Sequence, residues 1–197
     1  MKKETYKTWY SNGQLETEFG HKGDKREGLT KKWYEDGQLE FMVNYKDGKE
    51  DGLAKRWRNS GQLWELINWK DGKPDGLYKG WWPDGQLEWE YSQKDGKKDG
   101  LEKTWHKNGQ LEFEGNWKDG KQDGLAKRRY EGGQLRAKVN FNDGKEDGFH
   151  KQWWPNGQLL SECNWKDGKR NGFSKGWYPN GKLESELNFK DGEVIIG

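Results

Sequence analysis

Apolar positions in this chain recur in step. Leu15, Leu39, Leu63, Leu87, Leu111, Leu135, Leu159 and Leu183 stand 24 residues apart, and the glycines from Gly13 to Gly181 keep the same interval without insertion or deletion. A fixed period in the range of 20–50 residues marks a repeat architecture, in which one small unit touches mainly its neighbours. Within a unit, two stretches alternate apolar and polar residues, each bounded by Gly, Asp, Asn or Pro. This is a strand pattern, and runs long enough for helices are cut by Gly. In the fourth copy strand A covers residues 77–82 and strand B covers residues 86–93. The pattern predicts an all-β repeat protein of eight 24-residue β-hairpins, forming one elongated, twisted antiparallel meander sheet. The array is a single domain over residues 1–197, with copies at 4–27, 28–51, 52–75, 76–99, 100–123, 124–147, 148–171 and 172–195.

Two turns alternate. Pro83-Asp84-Gly85, Pro155-Asn156-Gly157 and Pro179-Asn180-Gly181 suit a three-residue hairpin loop, with Pro presetting the first corner and Gly taking the left-handed position. That loop sets Trp81 opposite Leu87, and unbroken pairing beyond it sets Lys79 opposite Trp89 and Leu77 opposite Tyr91. In the neighbouring copies it sets Leu29 opposite Val43 and Leu53 opposite Ile67, which gathers the apolar columns on one face. The second turn, Asp-Gly-Lys-x-Asp-Gly as in 47–52, reads as a longer connection between hairpins.

On this register the apolar face carries a tryptophan column, Trp33, Trp57, Trp81, Trp105, Trp153 and Trp177, interrupted by Arg129. It also carries ladders through Val43 and Tyr45, and a lysine row of Lys31, Lys55, Lys79, Lys103, Lys127, Lys151 and Lys175. The expected partners of the lysines include Phe41, Trp89 and Phe113. Two readings follow: the lysines lie over aromatic neighbours as structural cation–π or stem contacts, or they form a ligand-binding track. The tryptophans and lysines together are the candidate binding face. The opposite face is polar, with Glu16, Glu40, Glu88, Glu112 and Glu184 near residues such as Lys32. Trp64, Trp82 and Trp154 fall on it by parity, either as exposed aromatic contacts or paired with a neighbour, as Arg56 with Trp64.

Composition narrows the function. Charged residues make up 36% and hydrophobic ones 29%, a balance typical of disorder, yet 14 Trp, 8 Tyr and 7 Phe held in register argue for a folded chain with a thin core. A net charge of +2 is too balanced for a dedicated nucleic-acid binder. No apolar run is long enough to span a membrane and no signal peptide is visible, so a cytoplasmic location is expected. The single cysteine, Cys163, stands in a column of Val, Ile and Leu and reads as a small buried hydrophobe. His21, His106 and His150 occupy different columns and build no repeated metal site. Asp47 with Asp51 offers oxygens to a cation, but Lys49 lies between them and Asp-Gly is an ordinary turn pair. No catalytic constellation stands out, and no cofactor is expected.

The recurring string Gly-Leu-x-Lys-x-Trp-Tyr-x-Asn-Gly-Gln-Leu-Glu-x-Glu-x-Asn-Trp-Lys-Asp-Gly-Lys-x-Asp, clearest at residues 28–46, 100–119 and 172–190, resembles the bacterial MORN-repeat variant family, the YwqK-type antitoxin-like repeat proteins. The resemblance covers nearly the whole chain. It implies serial β-hairpins and interaction rather than catalysis: a non-enzymatic scaffold for protein–protein interaction, with toxin neutralisation by binding as its specific form. The alternatives are a glycan- or anionic-lipid-binding module, for which stacked Trp and a Lys row are suited, and a designed or consensus array with no ligand. Arg129 for Trp and Gly132 for Asn or Asp are the main departures from the string.

Overall fold

The structure is a computed structural model describing residues 2–195. The described residues contain no helix. They form twenty strands, paired antiparallel, and within each half of the chain the pairing follows the sequence as a meander. Sixteen are six to nine residues long and supply the two strands of each hairpin, such as Gly28–Trp33 with Leu39–Lys46. The other four, Lys25–Arg26, Lys49–Glu50, Lys121–Gln122 and Glu193–Val194, are two-residue lead-ins after a turn. The chain divides into two compact units, Met1–Lys97 and Lys98–Gly197, and the same repeat geometry holds within each.

The hairpin loop has three residues, as the Pro-Asp-Gly pattern predicts. In the second copy the loop is Glu35-Asp36-Gly37. The Tyr34 amide donates to the Gln38 carbonyl at 2.8 Å and the Gly37 amide donates to the Tyr34 carbonyl at 2.9 Å. Gly37 has φ +89°, which a side chain would strain. Asp36 Oδ1 accepts the Gln38 amide at 3.0 Å, which explains the recurring Asp/Asn-Gly-Gln. The second turn is tighter than expected. Lys46 pairs with Lys49, so the loop is only Asp47-Gly48, with φ of 52° and 84°. Positive φ at both corners is the type I′ turn whose twist matches the flanking strands. The rest of the motif, Asp51-Gly52, forms a bulge: the Asp51 amide donates to the Asn44 carbonyl at 2.8 Å and Gly52 has φ +101°.

A further bulge overturns the expected register. Trp33 pairs with Leu39 as predicted, but the next pair is Lys32 with Phe41, so Glu40 is the extra residue. Every hairpin repeats this at the same position. In the fourth copy Trp81 pairs with Leu87, after which Lys79 meets Glu90, Tyr78 meets Tyr91 and Leu77 meets Ser92. Lys79 opposite Trp89, Leu77 opposite Tyr91, Leu29 opposite Val43 and Leu53 opposite Ile67 are therefore not formed. One extra residue exchanges the faces of all that follows. The columns of Phe41, Val43 and Tyr45 leave the face of the Leu, Lys and Trp columns and join that of Lys32, Glu40 and Tyr34. Tryptophans accordingly lie on both faces. Those at 69, 89, 117 and 165 are on what we call the ladder face, and those at 33, 57, 81, 105, 153 and 177 are on the lysine face.

The core sits on the ladder face. In the first unit Val43 and Ala54 are fully buried and Ile67 nearly so, packed by Phe41, Tyr45, Trp69 and Tyr78. Tyr78 meets Trp89 edge-on at 4.6 Å and Tyr91 at 5.1 Å. In the second unit Phe113, Ala126, Ala137, Cys163 and Phe189 are buried. Burial raises the pKa of the Cys163 thiol, and Sγ accepts the Trp165 indole N–H at 3.0 Å, so this cysteine packs as a small hydrophobe.

Candidate binding faces

The lysine row is built by the bulge. Its register partners are Met42, Leu66, Glu90, Glu114, Lys138, Glu162 and Glu186, not the aromatic column that unbroken pairing implies. Ion pairs follow at 2.9 Å for Lys79–Glu90, Lys151–Glu162 and Lys175–Glu186, while Lys127, set opposite Lys138, reaches Glu114 of the preceding hairpin at the same distance. Lys31 and Lys55 instead lie beside Met42 and Leu66. Cation–π contacts come mostly from arginines on the ladder face: Arg26 over Phe19 and Tyr45, Arg56 over Phe41, Arg128 over Phe113, and Arg170 over Trp165 and Phe189, all at 5.1–5.8 Å. Of the lysine row, Lys175 lies 5.9 Å from the Phe173 ring.

The lysine face has an apolar edge. Leu29, Leu53 and Leu77 in the first unit are 40%, 39% and 37% exposed, and Leu101 and Phe173 repeat the position in the second unit. Asn44, Asn68 and Ser92 stand opposite the three leucines. The tryptophans at 33, 57, 81, 105, 153 and 177 are half-buried on the same face.

Trp64, Trp82 and Trp154 are also half-buried rather than exposed. Trp154 belongs to a column whose polar tips cross to the following copy. Tyr10 donates its hydroxyl to the Trp33 carbonyl at 2.7 Å, Tyr34 to Trp57 at 2.8 Å and Tyr130 to Trp153 at 2.9 Å. Arg58 reaches the Trp81 carbonyl at 3.1 Å, and the Trp154 indole N–H reaches the Trp177 carbonyl at 3.0 Å. Trp64 is a bulge residue and lies under the Arg58 guanidinium at 5.6 Å. Arg56, the expected partner of Trp64, instead pairs with Glu65 at 3.3 Å and covers Phe41. Sequence reasoning missed this column; its signal was the restriction to Tyr, Trp, His and Arg, long side chains ending in a polar group.

Carboxylates in the second turns are used up locally. Glu27 Oε2 accepts the Asp47 amide at 3.0 Å, and the Asp75, Asp99 and Asp147 carboxylates accept the Asp95, Asp119 and Asp167 amides. Lys166 Nζ, 2.9 Å from Asp147, holds that carboxyl below the usual range. Among the described residues no cluster of three metal-ligating side chains occurs.

Bulge residues and the polar-tipped column border clefts between adjacent copies on the ladder face. One, of about 350 Å³, is lined by Lys32, Tyr34, Glu40, Phe41, Arg56 and Trp64. Its cations are matched, Lys32 by Glu40 at 2.9 Å and Arg56 by Glu65. The same position four copies on holds a cleft of about 340 Å³ with Arg128, Tyr130, Arg136, Ala137, Gln152 and Leu160 in its wall. No carboxylate lines it.

Six segments match the model of the MORN repeat variant: residues 26–47, 50–71, 98–119, 122–143, 146–167 and 170–191, together 132 of the 197 residues. The chain belongs to the MORN repeat variant family. Each MORN match ends on the left-handed Asp of a type I′ turn and begins just after the preceding turn, so the family unit spans one hairpin. The hairpin at 74–95 and the first one lie outside the matches, yet they fold with the same loop and bulge. No curated protein matches the chain. MORN repeats are commonly binding modules.

Proposed function

We propose that the chain is a non-enzymatic scaffold for a protein partner, which it engages through the lysine face. The supporting observation is the row Leu29, Leu53 and Leu77, large aliphatic side chains left 37–40% exposed at a constant interval beside half-buried tryptophans. Apolar groups repeated on one surface and rimmed by charge are what a protein interface uses. The glutamates that neutralise much of the lysine row give anionic lipid less to bind than an unpaired row would. Neutralisation of a toxin by occlusion is the specific form this reading takes, in the cytoplasm.

The test uses the full chain as bait in native lysate, beside a variant carrying Leu29→Glu, Leu53→Glu and Leu77→Glu. A stoichiometric partner held by the wild type and lost by the variant, at similar melting temperature, is the expected result. Equal capture by both removes this face from the interface, and no stoichiometric partner overturns the scaffold reading. Growth restored when the captured protein, toxic alone, is co-expressed with the chain would support the antitoxin form.

A further inference from the structure

We propose that the cleft between copies six and seven binds a phosphomonoester. Copy six departs from the repeat in a consistent direction. Arg136 stands in a column holding Glu at five of the other seven copies, Lys138 in another such column, and Arg129 replaces a Trp. Arg136 is the bulge residue, next to Ala137, which pairs with Arg128 on one side and Gln152 on the other. The two guanidiniums therefore converge on one opening of about 340 Å³. Neither forms an ion pair among the described residues. Arg128 lies over Phe113 at 5.1 Å and Arg136 over Tyr130 at 5.7 Å, contacts that use ring faces and leave the N–H groups free. The equivalent cleft between copies two and three holds a Glu at the bulge, 2.9 Å from Lys32, and is self-neutralised.

Charge and shape select the ligand. Two arginines offer two positive charges and N–H forks suited to bidentate contact with oxyanions. A phosphomonoester carries about −1.5 to −2 at neutral pH and three acceptor oxygens, whereas a carboxylate neutralises only one of the pair. A volume of about 340 Å³ exceeds that of a bare phosphate group, and Ala137 and Leu160 give an apolar wall for what the phosphate is attached to. The neutral donors are already engaged: the Tyr130 hydroxyl bonds the Trp153 carbonyl, and Gln152 bonds Ser161 and His150. The arginines thus carry the binding.

Both test substitutions occur naturally at equivalent positions, so folding is expected to survive. Arg136→Glu restores the residue of Glu40 and Glu112, and Arg128→Gln copies Gln152. The full-length chain is titrated with phenyl phosphate, a short phosphoserine peptide and benzoate at matched ionic strength. Calorimetry is combined with NMR of the arginine Nε–H groups and the Ala137 amide, and melting curves confirm that each variant is folded. Saturable binding of a phosphate probe is expected, weakened at least about tenfold in each variant. The tighter of the two phosphate probes tells whether the group arrives on a small molecule or a side chain. Absence of binding by both phosphate probes, undiminished binding in both folded variants, or equal affinity for benzoate overturns the proposal.

Discussion

Tyr34 shows how one side chain serves the array. Its ring stands on the ladder face, and its hydroxyl leaves the copy to satisfy the Trp57 carbonyl at 2.8 Å. Phe at this position keeps the ring and orphans the carbonyl, so Tyr34→Phe should cost about 1 kcal/mol, read as a lower urea midpoint at unchanged m-value. Tyr78 makes a sharper case. Burial, then its 2.5 Å hydrogen bond to the Glu65 carboxylate, pushes its pKa well above the ordinary 10.0. A group whose folded pKa is raised contributes fully below its unfolded pKa and loses that contribution as pH rises through the folded value. Melting temperature should therefore fall more steeply above pH 10 in the wild type than in Tyr78→Phe; parallel curves would mean that the phenol is not held neutral. At the residue scale the sequence was only partly informative. Cys163 in a column of Val, Ile and Leu was readable as packing, whereas the reach of Tyr34 to a carbonyl 23 positions away was not, because nothing in a period reveals which backbone atom a tip will meet.

The hairpin is the element in which local chemistry and register part company. Gly, Pro and Asp declare the three-residue loop, since each supplies a backbone angle that few residues take. The bulge at Glu40 has no such marker, and the alternation of Leu39, Phe41 and Val43 looks unbroken through it. The available signal was electrostatic. Sliding strand B by one residue sets the lysine row against Glu90, Glu114, Glu162 and Glu186 and takes that row off the aromatic column. Apolar periodicity does not see this, because both registers keep alternation and only one keeps charge complementarity. The candidate tryptophans and lysines thus do share a face, but the core ladders do not lie with them. The loop of copy six offers a test of the cap. Gly132 lacks the side-chain oxygen that Asp36 and Asn108 direct to the amide two residues on. A Cβ there meets the end of the flexible Gln134 side chain, which can turn away, and Gly132 is not among the glycines at positive φ. Gly132→Asn should stabilise by about 0.5–1 kcal/mol, combining the new hydrogen bond with a less free unfolded chain. Calorimetry should show a rise of about 2–4 °C for each kcal/mol at this chain length. In the second turn the sign reverses. Gly48, at φ +84°, has room for a methyl but not the backbone angle, so Gly48→Ala should destabilise by about 1 kcal/mol.

Across the chain the same links recur at a constant step, and this makes the repeat number a variable rather than a fixed property. Polar tips bond carbonyls 23 residues ahead, as from Tyr34 to Trp57 and Arg58 to Trp81. The Gly48 and Gly72 amides bond the Arg26 and Glu50 carbonyls of the preceding lead-ins at 2.9 Å. Both sets join adjacent copies, so the first unit behaves as units coupled to nearest neighbours. Removing residues 52–75 deletes one whole period: Tyr34 then meets the carbonyl of Trp81 instead of Trp57, and the Lys49–Glu50 lead-in with Asp51 runs into Gly76, the counterpart of Gly52. The shortened chain should fold to a strand-rich circular dichroism spectrum, with a urea m-value lower by roughly one part in eight, since m follows the surface exposed on unfolding. Removing residues 52–63 deletes strand A, its loop and Leu63 but leaves the rest of strand B, so the following hairpin runs in the wrong direction and both sets of links fall out of step. That half-period deletion should lose cooperative unfolding. If both deletions melt alike, the period is a record of duplication without a corresponding energetic unit; if only the half-period deletion fails, the 24-residue hairpin is the unit by which the structure is built and held.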